Sequence, residues 1–290
     1  ASGGHNLLMI GPPGAGKSLL ARCMPDLLPP LSLEEALDVS KIYSSAGLLE
    51  RDRSLIRRRP FRAPHHTISY AGMVGGGHGV PGPGEISLAH HGVLFLDELP
   101  EFSRKVLETL RQPLEERAIL LSRAGVSVRY PASFTLVAAM NPCPCGFLGD
   151  SMQPCHCSVH DIRRYRRRLS GPFLDRVDLF VEVPRLAPEE LLGRRDGISS
   201  VEVRRRVTAA RKRQVVRLDR EPTLFCNAQL DGGLLDTHCR LEPDAESLLK
   251  RAAARFGLSA RAHVRILRVA RTIADLDGAD PLAAAHVAEA

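Results

Sequence analysis

Eight consecutive residues near the start of the chain have the types and order needed to hold a triphosphate. Gly11, Pro12, Pro13, Gly14, Ala15, Gly16, Lys17 and Ser18 follow the pattern Gly-x4-Gly-Lys-Ser. Glycines let backbone N–H groups turn inward around phosphate oxygens, the lysine brings charge to the β- and γ-phosphates, and the serine hydroxyl is a ligand for Mg²⁺. Leu19 opens the helical run that follows, so the positive end of a helix dipole falls at the same place. ATP and Mg²⁺ are the ligands this pattern predicts.

A second apolar run, Leu94-Phe95-Leu96, ends in two carboxylates, Asp97 and Glu98. Asp97 is expected to hold Mg²⁺ together with Ser18, and Glu98 to polarise the attacking water. Asn141 closes the run Phe134–Met140 and is a candidate to stand between that water and the γ-phosphate; ahead of Pro142 it also suits a simple turn. Arg176, within residues 171–178, has the position of an arginine that projects from one subunit onto the γ-phosphate bound by its neighbour. The plainer alternative is an ion pair with Asp175 or Asp178. Arg261 follows Leu258-Ser259-Ala260 at a helix start and is a candidate reporter of nucleotide state, with Arg265 and Arg268 further along the same helix.

Four of the seven cysteines fall within 15 residues, as Cys143-x-Cys145 and Cys155-x-Cys157. Four thiolates so close can close a tetrahedral Zn²⁺ site, with His160 as an alternative fourth ligand; the other reading is a reduced, cysteine-rich loop. Cys23, Cys226 and Cys239 stand alone and read as packing residues. His65, His66, His78, His90 and His91 read as structural, since adjacent histidines chelate poorly and no acidic residue is spaced with them. Arg163-Arg164-Tyr165-Arg166-Arg167-Arg168 either binds phosphate and stacks on a base or is an exposed helix face.

The elements that must position these residues are legible in outline. His5–Ile10, Val93–Leu96, Phe134–Met140 and Asp178–Val183 are short apolar runs without alternation, separated by helical segments. That pattern predicts an α/β fold, a parallel sheet covered on both faces. Pro25, Pro29 and Pro30 are expected to limit the helix over 19–28. Residues 59–91, rich in Gly, Pro and His, read as an insert of loops and short hairpins. Ser103 caps a predicted helix over 104–116, and 119–128 reads as a hairpin turning at Ala124-Gly125. After Pro184 the pattern turns helical, over 188–194, 199–218, 243–256, 259–276 and 281–290. A core over 1–185 and a helical domain over 186–290 are the expected division, in keeping with about two domains for 290 residues.

Composition is that of a folded globular protein, with 44% hydrophobic and 25% charged residues. No apolar run reaches the about 18 residues a membrane span needs, and no secretory leader pattern is present, so a cytoplasmic location is expected. The chain begins at Ala1 without an initiator Met, which reads as part of a longer protein. The net charge of +7 raises nucleic acid as a partner. The excess is local: residues 161–220 hold 17 Lys or Arg against nine Asp or Glu.

The order of Gly11–Ser18, Phe95–Glu98, Asn141, Arg176 and Arg261 resembles an AAA+ ATPase. The strings His5–Gly14, Arg62-Ala63-Pro64-His65-His66-Thr67, Pro83–Gly92 and Asn141–Gly146 are similar to those of magnesium-chelatase-like ATPases of the YifB/ComM type. The resemblance implies a P-loop AAA+ core with parallel sheet, an insert near 61–91, a hairpin before the strand that ends in Asn141, and a helical lid. It implies hexameric rings, with the insert and the hairpin facing the pore. There Arg117, Arg123 and Arg129 would track a phosphate backbone; a solvated hairpin with guarding charges is the alternative. Full-length members carry a further N-terminal domain, and ComM-type members are associated with DNA branch migration during natural transformation. The cysteine cluster favours this type over chelatase subunits. The alternative is a chelatase- or MoxR-like remodeller of protein or metallocofactor targets.

Overall fold

The computed structural model describes residues 1–49, 55–77, 80–123, 126–186, 197–221 and 224–290, with the side chain of Arg123 excepted. His78, the turn Ala124-Gly125 and the helix expected over 188–194 lie outside the described residues. The chain divides into two compact units. One is Asn6–Pro25 with Pro30–Asp196; the other is Ala1–His5 and Asp26–Pro29 with Gly197–Ala290. Residues 1–5 and 26–29, expected in the first unit, thus group with the helical one.

The larger unit is built on a five-stranded parallel sheet. Nine strands are described, β1 (Leu7–Ile10), β2 (Phe61–Arg62), β3 (Gly75–Gly76), β4 (Gly82–Pro83), β5 (Val93–Leu96), β6 (Ala118–Arg123), β7 (Val126–Pro131), β8 (Thr135–Met140) and β9 (Leu179–Glu182). The sheet runs in the order β2-β5-β8-β1-β9. The expected α/β fold is therefore present. β5 and β8 are buried at every position, as unalternating Val, Leu and Ala runs should be when helices cover both faces. Leu8, Leu94, Leu96, Leu136 and Phe173 lie in the core they build.

The sheet departs from expectation at both edges. β2 falls inside the stretch read as loops. It is two residues long and pairs Phe61 with Val93 and Arg62 with Leu94; the Phe61 ring stacks on Phe95, centroids 6.0 Å apart. A strand so short has no period to detect. β9 closes the other edge, and its Phe180 and Val181 are 52% and 43% exposed, so this strand is not covered as its apolar sequence suggests.

Two prolines bear on helix length. The helix Lys17–Leu27 runs through Pro25. Conversely, the helix expected over 104–116 breaks at Leu110 into Arg104–Thr109 and Arg111–Glu116, because Pro113 has no N–H to return to Thr109. The insert holds short helices Tyr70–Val74 and Glu85–Leu88 around the β3–β4 hairpin. The hairpin β6–β7 spans 118–131 and is longer than expected.

The helical unit contains helices Ser200–Arg217, Gly232–His238, Pro243–Phe256, Ala260–Asp277 and Ala284–Glu289. Gly232–His238 is helical although its two leading glycines argue against a helix by propensity. Beside the apolar core formed by Leu230, Leu249, Ala270 and Leu282 lies a buried polar network. Fully buried Asp275 accepts hydrogen bonds from Asn227 Nδ2 at 2.7 Å, Arg271 at 3.1 Å and Arg217. Thr272 Oγ1 lies 2.8 Å from His5 Nε2 and 3.0 Å from Asn227 Nδ2. A buried carboxylate needs such partners to stay charged. No helix among the described residues is long and apolar enough to cross a membrane.

Candidate functional site

Parallel pairing sends the C-terminal ends of all five strands to one edge of the sheet. β1 pairs with β8 so that Ile10 stands opposite Met140, and β5 pairs with β8 so that Leu96 stands opposite Ala138. The residues that follow these ends, Gly11, Asn141 and Asp97, must therefore meet. Such carboxyl edges are where open α/β sheets bind ligands.

The loop Gly11–Ser18 turns sharply between β1 and its helix. Gly14 and Gly16 have φ of 78° and 87°, in the left-handed region that glycine adopts without strain. A Cβ at either would touch nothing within 4 Å, so these glycines answer a backbone demand and leave the cradle open. Leu20 is the first residue of the helix whose N–H bonds back, to Gly16 O at 3.0 Å. The N–H groups of Lys17, Ser18 and Leu19 precede it, in the first turn where helices lack internal partners. This is the donor set a phosphate chain requires.

Lys17 is 8% exposed. Its Nζ donates to Gly11 O at 2.6 Å, Pro12 O at 2.9 Å and Asn141 Oδ1 at 3.2 Å. Desolvation pulls its pKa down, and the charge of Asp97 opposes that. Ser18 Oγ donates to Asp97 Oδ2 at 2.6 Å, and Asp97 Oδ1 accepts the N–H of Glu98 at 2.9 Å. The hydroxyl and carboxylate proposed to share Mg²⁺ are in direct contact, a hard-oxygen pair suited to that ion. Glu98 is held at φ 50° and ψ 46°, a left-handed conformation that costs a non-glycine residue free energy and clusters at functional sites. Its carboxylate faces outward, 60% exposed, with Oε2 3.3 Å from His66 Nδ1.

His66 is the contact the sequence did not reveal. The same Arg62–Thr67 string is braced from the other side, where Arg62 grips Glu85 through two bonds of 2.6 Å. The His90–His91 pair does have acidic neighbours, contrary to expectation: Asp38 groups with both rings, and His91 Nδ1 lies 3.5 Å from Glu35. His90 is nonetheless structural. Its Nδ1 accepts the Ser133 N–H at 3.0 Å, so its proton sits on Nε2 and that nitrogen has no lone pair for a metal. Burial, and then His91, push its pKa down to about 3.

Arg176 is not with these groups. Its side chain is 10% exposed and binds Glu115 Oε1 at 2.5 Å, Arg111 O at 3.2 Å and Pro172 O. The ion-pair partner is Glu115, which is distant in sequence, and not Asp175 or Asp178. Asn6 supports this corner, with Nδ2 on Arg176 O at 2.8 Å and Oδ1 on the Leu136 N–H at 2.9 Å. Arg261 stands exposed in the first turn of helix Ala260–Asp277, in the helical unit. Of the hairpin arginines, Arg117 is half-buried and Arg129 exposed.

Cys143, Cys145, Cys155 and Cys157 converge, with all four sulfurs within 4.8 Å of one another. Sγ of Cys143 and Cys145 are 3.4 Å apart, Cys143 and Cys155 3.7 Å, and Cys145 and Cys155 3.6 Å. A tetrahedral zinc with bonds of about 2.3 Å separates its sulfurs by about 3.8 Å. The Cys145 N–H also points at Cys157 Sγ, 3.4 Å away. His160 is not part of the cluster. The cysteine loop leans on the phosphate loop: at Gly146, with φ 89°, a Cβ would come within 2.6 Å of Pro13 Cδ.

A parallel sheet whose carboxyl edge joins a phosphate loop, an Asp-Glu pair and a polar strand end defines a P-loop nucleotide-binding core of the AAA+ kind. The chain belongs to the magnesium chelatase family: the family model "Magnesium chelatase, subunit ChlI" matches residues 1–191, and its C-terminal counterpart matches residues 197–290. It is 49% identical over its whole length to YifB of Escherichia coli, an uncharacterized protein, and 46% identical to competence protein ComM of Haemophilus influenzae. It spans 56% and 55% of those two proteins, about half of each. It is 24% identical, over 97% of its length, to the magnesium-chelatase 38 kDa subunit of Rhodobacter capsulatus.

Gly146→Ala tests the link between the two loops. The left-handed backbone costs a side chain about 1–2 kcal/mol, and the methyl group must displace Pro13. A fluorescent ATP analogue should bind more weakly to the variant at a temperature where circular dichroism shows it folded. Unchanged affinity would mean that the contact does not shape the phosphate loop.

Proposed function

We propose that the chain is a Mg²⁺-dependent ATPase acting as a ring of subunits, and one observation above others supports this: the convergence of Lys17, Ser18, Asp97 and Asn141 at the strand ends. Lys17 neutralises charge on the β- and γ-phosphates, and the loop N–H groups orient them. Ser18 and Asp97 would hold Mg²⁺, which would supply further charge neutralisation. Glu98 accepts the proton of the attacking water, and His66 aims the carboxylate. Asn141 stands between Lys17 and that water. Arg176, once released from Glu115, completes the site of a neighbouring copy. In the helical unit the sensing role falls to Arg261.

The substrate we favour is DNA, moved by a hexameric ring in the cytoplasm. The likeness to a competence protein and the local excess of arginine support this. The likeness to a magnesium-chelatase subunit supports the second reading, a remodeller of protein or metallocofactor targets. ATP turnover with and without forked DNA separates them: stimulation that weakens as salt rises favours the motor, and turnover indifferent to DNA favours the remodeller. Glu98→Gln should bind ATP and lose at least about a hundredfold in turnover; full turnover would remove Glu98 from its role.

The four cysteines hold one structural Zn²⁺. Their sulfur spacing supports that assignment, and a reducing cytoplasm keeps thiols free for metal. Elemental analysis of freshly reduced protein should find about one zinc per chain, falling to about zero in Cys143→Ser/Cys145→Ser. Equal metal in both proteins would overturn the site.

A further inference from the structure

The arginine run after the cysteine loop has a use that the nucleotide site does not absorb. Helix Val159–Arg166 and the turn after it face the segment that follows Glu98. Between them lies an open groove of about 670 Å³, lined by Arg104, His160, Arg163, Arg164, Arg167 and Arg168. All six side chains belong to exposed residues. Tyr165, which one of the two readings of the run would have stack on a base, is 8% exposed and packs into the core. Phe102, the aromatic residue of the groove wall, is 4% exposed.

The charges in the groove do not cancel. Glu101 takes Arg168 at 2.7 Å and Asp161 takes Arg164 at 3.2 Å. Among the described residues, the guanidinium groups of Arg104, Arg163 and Arg167 make neither a hydrogen bond nor an ion pair. Arg104 still feels the charge of Glu108, but the five arginines outnumber Glu101, Asp161 and Glu108, and the remaining positive charge is stabilised by an external anion. Guanidinium is the side chain best shaped to grip phosphate oxygens in pairs. An open groove without an aromatic platform suits a polymer held by its backbone, and offers no means of reading bases.

We propose that this groove binds the phosphodiester backbone of single-stranded nucleic acid, without regard to sequence, through Arg104, Arg163 and Arg167. The proposal rests on the DNA reading above and names where the strand is held. It also has a route to the nucleotide. Arg166, on the same helix, donates to Pro142 O at 3.3 Å, the residue after Asn141, and the helix begins two residues beyond Cys157. A strand drawn into the groove pulls on the segment that carries Asn141.

The test is fluorescence anisotropy of a labelled oligothymidine strand, titrated with the chain over a series of KCl concentrations. Wild type is compared with Arg104→Ala/Arg163→Ala/Arg167→Ala. Each single-strand phosphate contact contributes about 0.7 to the slope of log K against log salt, so the triple variant should lose about 2 from that slope. It should bind a fluorescent ATP analogue as wild type does, which shows that it is folded. Four results would overturn the proposal. An unchanged slope means the strand is held elsewhere. Displacement of the strand by inorganic phosphate at the same phosphate concentration means a free-phosphate site. Normal DNA binding with lost self-association in sedimentation means an interface between copies. No binding of any strand by wild type sinks the DNA reading along with the groove.

Discussion

Two hydrogen bonds across the sheet edge fix the geometry of the site: Lys17 Nζ to Asn141 Oδ1 at 3.2 Å, and Ser18 Oγ to Asp97 Oδ2 at 2.6 Å. They tie the phosphate loop to the ends of β8 and β5, which are neighbours in the sheet but far apart in sequence. They exist because the strands are parallel and in a register that brings Gly11, Asp97 and Asn141 to one edge. A buried ammonium is costly unless its donors are satisfied. Lys17 meets that cost with two loop carbonyls and the Asn141 amide. The same partners hold the loop in shape.

The strands that carry this arrangement were legible because they are buried on both faces. β5 and β8 read as plain apolar runs, and the phosphate loop has a spacing that little else produces. Less was legible where partners lie far apart in the chain. Nothing near Arg176 in sequence announces Glu115, and nothing near Glu98 announces His66. β2 is too short for periodicity to detect, and the polar network around Asp275 is spread over residues 5 to 275. The basic run Arg163–Arg168 was ambiguous for a different reason. A helix places Tyr165 on the face opposite the free arginines, and only packing against the core decides that the ring is unavailable.

The segment after β8 joins three features into one chain of contacts. Asn141 ends the strand at Lys17, Cys143 begins the thiol cluster two residues later, and the cluster hands over to the helix whose arginines line the groove. Gly146 lets the middle of this segment press against Pro13 of the phosphate loop. Thiol cluster, phosphate loop and groove are therefore linked by one stretch of backbone.

The proposed ATPase requires Ser18 and Asp97 to receive Mg²⁺ beside the nucleotide. The most direct measurement is the affinity of a fluorescent ATP analogue with excess Mg²⁺ and with EDTA, for wild type and for Asp97→Ala. Mg²⁺ should tighten binding to wild type and leave the variant nearly unchanged. Equal Mg²⁺ dependence in the two proteins would contradict it.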